Sequence, residues 1–221
     1  MEPTPTTVAQ TAVKPKFRGR LHQVGFFVSI PMGFAIVIAA PTAKAKIAVA
    51  IYSVCISLML GTSALFHVHN WTPEARRVMR RMDHAMIFAA VAGTYTPIAV
   101  LALHGTTQTL ILWLVWVGGV LGAIQQLVWI DAPKWATAVV YLAIGWVAVA
   151  AVHEIYTSSG PWALGLIILG GILYSMGAVV YALRKPNPNP QIFGYHEVFH
   201  ALVLAALISH YIAICFITLN G

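Results

Sequence analysis

The sequence predicts an all-α, seven-transmembrane-helix bundle, and three observations predict it. Of 221 residues, 59% are apolar and only 9% are charged, against about 25% charged in soluble domains. Mean hydropathy is +0.80. The apolar residues gather into seven runs, at 23–40, 46–68, 84–103, 109–130, 135–152, 162–183 and 196–219. Each has about the 17–25 residues a helix needs to cross roughly 30 Å of hydrocarbon. Strands of a membrane barrel would be shorter and would alternate apolar with polar residues, which these runs do not.

Basic residues orient the helices. With the N-terminus in the cytoplasm, the cytoplasmic segments hold Lys14, Lys16, Arg18 and Arg20, then Arg76, Arg77, Arg80 and Arg81, then Lys134, Arg184 and Lys185. Of the 13 Lys and Arg, only Lys44 and Lys46 fall outside. This bias predicts a cytoplasmic N-terminus and an external C-terminus. The net charge of +7 is then topological, in contact with anionic lipid head groups, and predicts no nucleic-acid partner.

Ahead of the first span, residues 1–21, with Pro3, Pro5 and Pro15 among threonines, read as a disordered polar and basic tail. Residues 22–221 read as one transmembrane domain, its first span an uncleaved signal anchor. Cys55 and Cys215 lie in separate spans and read as small packing residues. Gly93, Tyr95 and Pro97 read as a kinked, closely packed stretch of the third helix. Trp71, Trp129, Trp135 and Trp162, near span ends, read as interfacial anchors.

This topology gathers polar residues at one depth. The end of the second span (Ser63, His67), the start of the third (Asp83, His84) and the start of the seventh (His196, His200) all face the cytoplasm. Such residues are expensive beside a bilayer core and mark function there. His196 and His200 are spaced i,i+4, as are Ser63 and His67, so each pair shares a helix face. His67, His196 and His200 supply three corners of a tetrahedron and leave the fourth open, as catalytic zinc sites do. Asp83 and Ser63 are the candidate catalytic residues, placed to orient a ligand or the metal's water. Zinc lowers the pKa of such water to about 7, which suits attack on a lipid carbonyl. The same donors also suit Fe(II).

The other histidines read differently. His22, His69, His104 and His153 sit at span ends or in loops, and His210, about 15 Å beyond His200 along the helix, cannot reach the same ion. His84 neighbours Asp83 but points about 100° away around the helix. Residues 196–200 also match H-E-x-x-H, in which Glu197 would be a protease's general base. The segment opens an apolar span instead of lying in a soluble protease domain, so Glu197 reads as an interfacial carboxylate favoured near a helix N-terminus.

The segments SALFH at 63–67, MDHAMIFAAVAGTYTPIAV at 82–100 and HEVFHALVLAALISH at 196–210 resemble the hemolysin III branch of the progestin and adipoQ receptor family, and the resemblance spans nearly the whole chain. It implies zinc held by His67, His196 and His200, with Ser63 and Asp83 near the metal and its water, in a seven-helix protein with a cytoplasmic N-terminus. Relatives include adiponectin receptors, with ceramidase-like activity, so it also implies a candidate lipid amide hydrolase. Glu197 stands where the receptor branch often has Gln, which counts against the protease reading. The short segment before the first span points away from a hormone receptor and toward a bacterial inner-membrane protein.

Three functions follow as expectations. The first is a zinc-dependent hydrolase of a lipid amide or ester, with membrane lipids as partners and the substrate in the bundle cavity. The second is a non-enzymatic lipid sensor or regulator with zinc as a structural staple. The third is a cytolysin, which the chain's hydrophobicity disfavours.

Overall fold

A computed structural model describes residues 14–129, 131 and 133–220. Its helices are α1 (Arg20–Ala39), α2 (Ala43–Val68), α3 (Pro73–Ala102), α4 (Gly105–Val128), α5 (Lys134–Gly145), α6 (Val152–Leu183) and α7 (Tyr195–Asn220), with a 3₁₀ turn at Val147–Ala151. Among the described residues, the only β pairing is an isolated bridge between Asn189 and Phe193. Six stretches are long and apolar enough to cross a membrane, with 137–183 taken as one of 47 residues.

Helix starts follow local chemistry. Thr42 and Thr72 accept hydrogen bonds from the amides of Ala45 and Ala75, at 3.1 and 3.3 Å, satisfying donors that a helix start leaves open. Pro73 occupies the first turn of α3, where its missing N–H costs nothing. α3 therefore begins at Pro73 rather than at 84, carrying a charged extension ahead of the expected span.

The expectation of a single helix over 135–152 is corrected. α5 ends at Gly145 and a 3₁₀ turn carries the chain into α6. The Tyr95 hydroxyl occupies this break, donating to the Gly145 carbonyl at 2.7 Å and accepting from the Ala148 amide at 2.8 Å. One side chain thus satisfies two backbone groups that would otherwise cost several kcal/mol each in hydrocarbon. Further on, Gly160 takes φ 78° and ψ 175° just before Pro161. Proline disfavours a helical predecessor, and glycine alone adopts that φ without strain. Beyond this point the chain returns along itself, since the Trp146 indole donates to Ser175 Oγ at 3.0 Å.

Consecutive helices pack from α1 through α4, α6 packs on α7, and α7 closes onto α1 and α3. The core includes Tyr52 and Ile56 of α2, Ile98 and Ala99 of α3, and Ala213 and Ile214 of α7. A methyl carbon placed on Gly93 would lie 2.5 Å from Cys55 Cβ, so the small residue sets the α2–α3 approach. Outward faces expose Phe34, Ile38, Leu121 and Trp162, a surface suited to lipid.

Residues 14–19, inside the expected tail, dock on the loop before α7. The Lys16 and Phe17 amides donate to the carbonyls of Gln191 and Ile192 at 3.1 and 3.2 Å, and the Phe17 ring meets Phe193 edge-on. Arg20 and Leu21, also inside the expected tail, already belong to α1, and residues 1–13 lie outside the described residues.

Candidate metal centre

His67 occupies the last turn of α2, and His196 and His200 the first turns of α7. Their convergence is close. The Nε2 atoms of His67 and His196 are 3.0 Å apart, and one ring nitrogen from each of the three histidines lies within 4.8 Å of the others. Tetrahedral zinc with bonds of 2.0–2.1 Å would hold ring nitrogens about 3.3 Å apart. The donor set therefore fits a zinc-sized ion with a small adjustment of the rings.

Asp83 sits at this cluster, its Oδ2 3.6 Å from His67 Nε2 and 4.0 Å from His84 Nδ1. His84 lines the same cavity but is not one of the three converging imidazoles. Its Nδ1 is 2.7 Å from the Arg80 carbonyl, which only accepts, so Nδ1 donates. Its Nε2 lies 3.4 Å from the Tyr181 hydroxyl.

Ser63 turns toward a residue that the sequence reading leaves out. Its Oγ is 2.9 Å from Nδ1 of His22, and the His22 ring stacks on His200 with centroids 3.7 Å apart and planes 5° from parallel. His22 is buried, so its placement as an ordinary span-end residue is corrected. It holds His200 by its flat face while the contact with Ser63 sets the angle of the His22 ring. The depth argument that gathers the other three applies to His22 as well, because it opens the first span, at the same end of the bundle as the cluster.

Glu197 is only 1% exposed, so it is buried rather than interfacial. One carboxylate oxygen accepts from Arg18 Nε and the other from the Gly194 amide at 2.8 Å. The second contact is a carboxylate reaching back to a helix start. Both oxygens are engaged, which leaves Glu197 poorly placed as a general base.

A cavity of about 570 Å³ begins at this cluster. Arg18, Arg76 and Arg80 line one end, and Trp146, Ile167, Tyr174 and His210 line its deeper part. Lys14 borders the basic end, donating to the Val68 carbonyl at 2.9 Å. Partial burial, and then the nearby charges of Arg76, Arg18 and Arg20, hold its ammonium pKa below the usual lysine value. Two of the lining arginines are paired, Arg18 with Glu197 and Arg80 with Asp131, and most of the remaining lining is apolar.

The model of the family described as Haemolysin-III related matches residues 10–211. The chain belongs to that family. This Haemolysin-III-related protein is similar to Hemolysin-3 of Bacillus cereus, 28% identical over 202 residues that cover 90% of this chain and 89% of the relative. It is also similar to the Hemolysin-3 homolog of Bacillus subtilis (strain 168), 30% identical over 200 residues covering 88% and 90%. An adiponectin receptor protein of Drosophila melanogaster is 31% identical over 172 residues, 69% of this chain and 38% of the receptor. Family membership and the apolar helices together make this a multi-pass integral membrane protein.

Proposed function

We propose that this Haemolysin-III-related protein binds zinc through His67, His196 and His200 and hydrolyses an amide or ester of a membrane lipid. One observation carries the reading: three imidazoles from two distant helices converge at the head of a deep, largely apolar cavity. Zinc held by neutral imidazoles supplies Lewis acidity toward a carbonyl and acidifies water toward neutrality. Asp83, beside His67, is placed to hold a proton at Oδ2 and would serve as the general acid–base of the reaction. Ser63 and His22 hold His200 in place, and the apolar walls take the acyl chain and exclude bulk water.

The topology proposed is seven crossings with a cytoplasmic N-terminus. The charge distribution supports the orientation. The break at Gly145, the kink at Gly160 and the Trp146–Ser175 contact support counting 137–183 as two crossings. A second reading, a non-enzymatic lipid regulator stapled by zinc, draws on the His22–His200 stack, through which the cluster would tie α1 to α2 and α7. The names of the two Bacillus relatives suggest cytolysis as a third, but an outer face this apolar favours residence in its own membrane.

Elemental analysis of purified wild type and His196→Ala tests the metal. Near-stoichiometric zinc in the wild type, lost in the variant, supports the site; equal content in both removes it, and iron in place of zinc changes the ion. Turnover of a panel of ceramides and phospholipids then separates the readings. Product formed by wild type and abolished in Asp83→Ala supports hydrolysis, whereas zinc-dependent thermal stability with no product supports the staple.

A further inference from the structure

The four arginines at the start of α3 differ in what they meet. Arg76 and Arg80, spaced i,i+4 on one helix face, line the cavity, whereas Arg77 and Arg81 do not. Arg80 pairs with Asp131, and Arg18 with Glu197. Arg76 has no such partner. Its guanidinium carbon lies over the Phe66 ring, 5.2 Å from the centroid, and among the described residues its side chain makes no hydrogen bond or ion pair. Phe66 in turn stands beside the histidine cluster, its ring centroid 4.6 Å from that of His67. An aromatic face holds a cation without using its N–H donors, and the planar fork of a guanidinium suits the oxygens of a phosphate.

Lys14 is a second cation of this kind. Its ammonium donates to the Val68 carbonyl at 2.9 Å and, at 3.4 Å, to Asn70 Oδ1, both of them neutral. Burial, and then Arg76 ahead of Arg18 and Arg20, lowers its pKa, so Lys14 and Arg76 stand close enough to repel each other. Both residues are exposed, within reach of a ligand. Like charges crowded together without a carboxylate are relieved by an anion. Two such cations match a phosphate monoester, which carries about −1.5 to −2 near neutral pH, better than the single charge of a phosphodiester.

We propose that Arg76 and Lys14 bind a phosphate monoester at the mouth of the cavity, carried either by the head group of a lipid such as phosphatidic acid or by free phosphate. The lipid source rests on the reading that the cavity holds a lipid with its head at the histidine cluster. It would set the phosphate on Arg76 and leave the acyl linkage, only a few bonds away, beside His67. Membrane topology by itself asks for basic residues anywhere at this end of the bundle; it does not ask for one that lines the cavity and keeps its donors unused.

The test is equilibrium binding to zinc-loaded protein in phosphatidylcholine nanodiscs, with three probes: dioctanoyl phosphatidic acid, dioctanoylglycerol and inorganic phosphate. Charge-assisted hydrogen bonds predict that the phosphatidic acid binds about tenfold tighter than the dioctanoylglycerol. Arg76→Gln removes most of that preference, Arg76→Lys recovers part of it, and Lys14→Gln lowers it about threefold. Arg77→Gln removes the same charge one residue away, outside the cavity, and leaves the preference intact. Should Arg76→Gln fail to fold, Lys14→Gln against Arg77→Gln carries the same contrast. Inorganic phosphate bound as tightly as the phosphatidic acid, with the same dependence on Arg76, makes free phosphate the source; much weaker binding makes it the lipid. Equal binding of phosphatidic acid and dioctanoylglycerol by wild type, or an equal loss in Arg76→Gln and Arg77→Gln, overturns the site and leaves these cations as topological charge. Because binding is read without turnover, the site stands even if no lipid is hydrolysed, and hydrolysis without the preference removes the site alone.

Discussion

Two arginine–carboxylate pairs tie distant segments together at the basic end of the molecule, and they differ almost only in burial. Arg18 and Glu197 are 24% and 1% exposed, whereas Arg80 and Asp131 are 41% and 84% exposed. Glu197 also accepts from the Gly194 amide, so its carboxylate is enclosed and satisfied; Asp131 faces water. Pairing geometry alone does not set the worth of a salt bridge. In high dielectric an exposed pair contributes about 0–1 kcal/mol, while removing one partner of a buried pair leaves an uncompensated charge. Glu197 also lies between His196 and His200 in sequence, so the pair secures the turn that presents both.

The largest effect expected is from Glu197→Ala. Loss of the enclosed carboxylate should destabilise the protein by about 3–5 kcal/mol, measurable by steric trapping in bicelles. A stable Glu197→Ala with turnover abolished would instead make Glu197 the catalytic base that H-E-x-x-H suggests, and would break the comparison. An intermediate effect is expected from replacing the whole pair. Arg18→Met with Glu197→Leu should recover most of that loss, because a buried ion pair exchanged for apolar residues is often neutral. A double variant as unstable as Glu197→Ala would show that the pair does more than neutralise itself. The smallest effect is expected from Asp131→Asn, under about 1 kcal/mol and vanishing in 1 M salt, where charges are screened beyond about 3 Å. The Glu197→Ala deficit should persist at that salt concentration.

Much of the site can be read from sequence because it depends on topology. His67, Asp83, His196 and His200 meet at one end of the bundle, the end to which the expected alternation of spans assigns them. The i,i+4 spacing then turns His196 and His200 to one side, and Ser63 and His67 likewise. His22 has no motif partner in its own span; its stack on His200 appears only once α1 is packed. Glu197 is misleading for the opposite reason. Its local spacing matches a catalytic motif, while its actual partner, Arg18, is 179 residues away. The break after α5 is equally hidden, since 138–152 carries no charged residue to mark it and the group that accommodates the break, Tyr95, belongs to another helix. Hydropathy reports which segments enter the membrane, not where their backbone bonds end.

The Tyr95 hydroxyl also bears on motion. An interrupted membrane helix is often a hinge, since its free amide and carbonyl can exchange partners as the halves move. Here both groups are bound to one phenol on a buried segment of α3, so movement at Gly145 would have to break two hydrogen bonds together, in a setting without water to replace them. The discontinuity behaves as a seam. The Ala148 amide should exchange with deuterium as slowly as those in the middle of α3, and in Tyr95→Phe it should exchange quickly while the α3 amides remain protected.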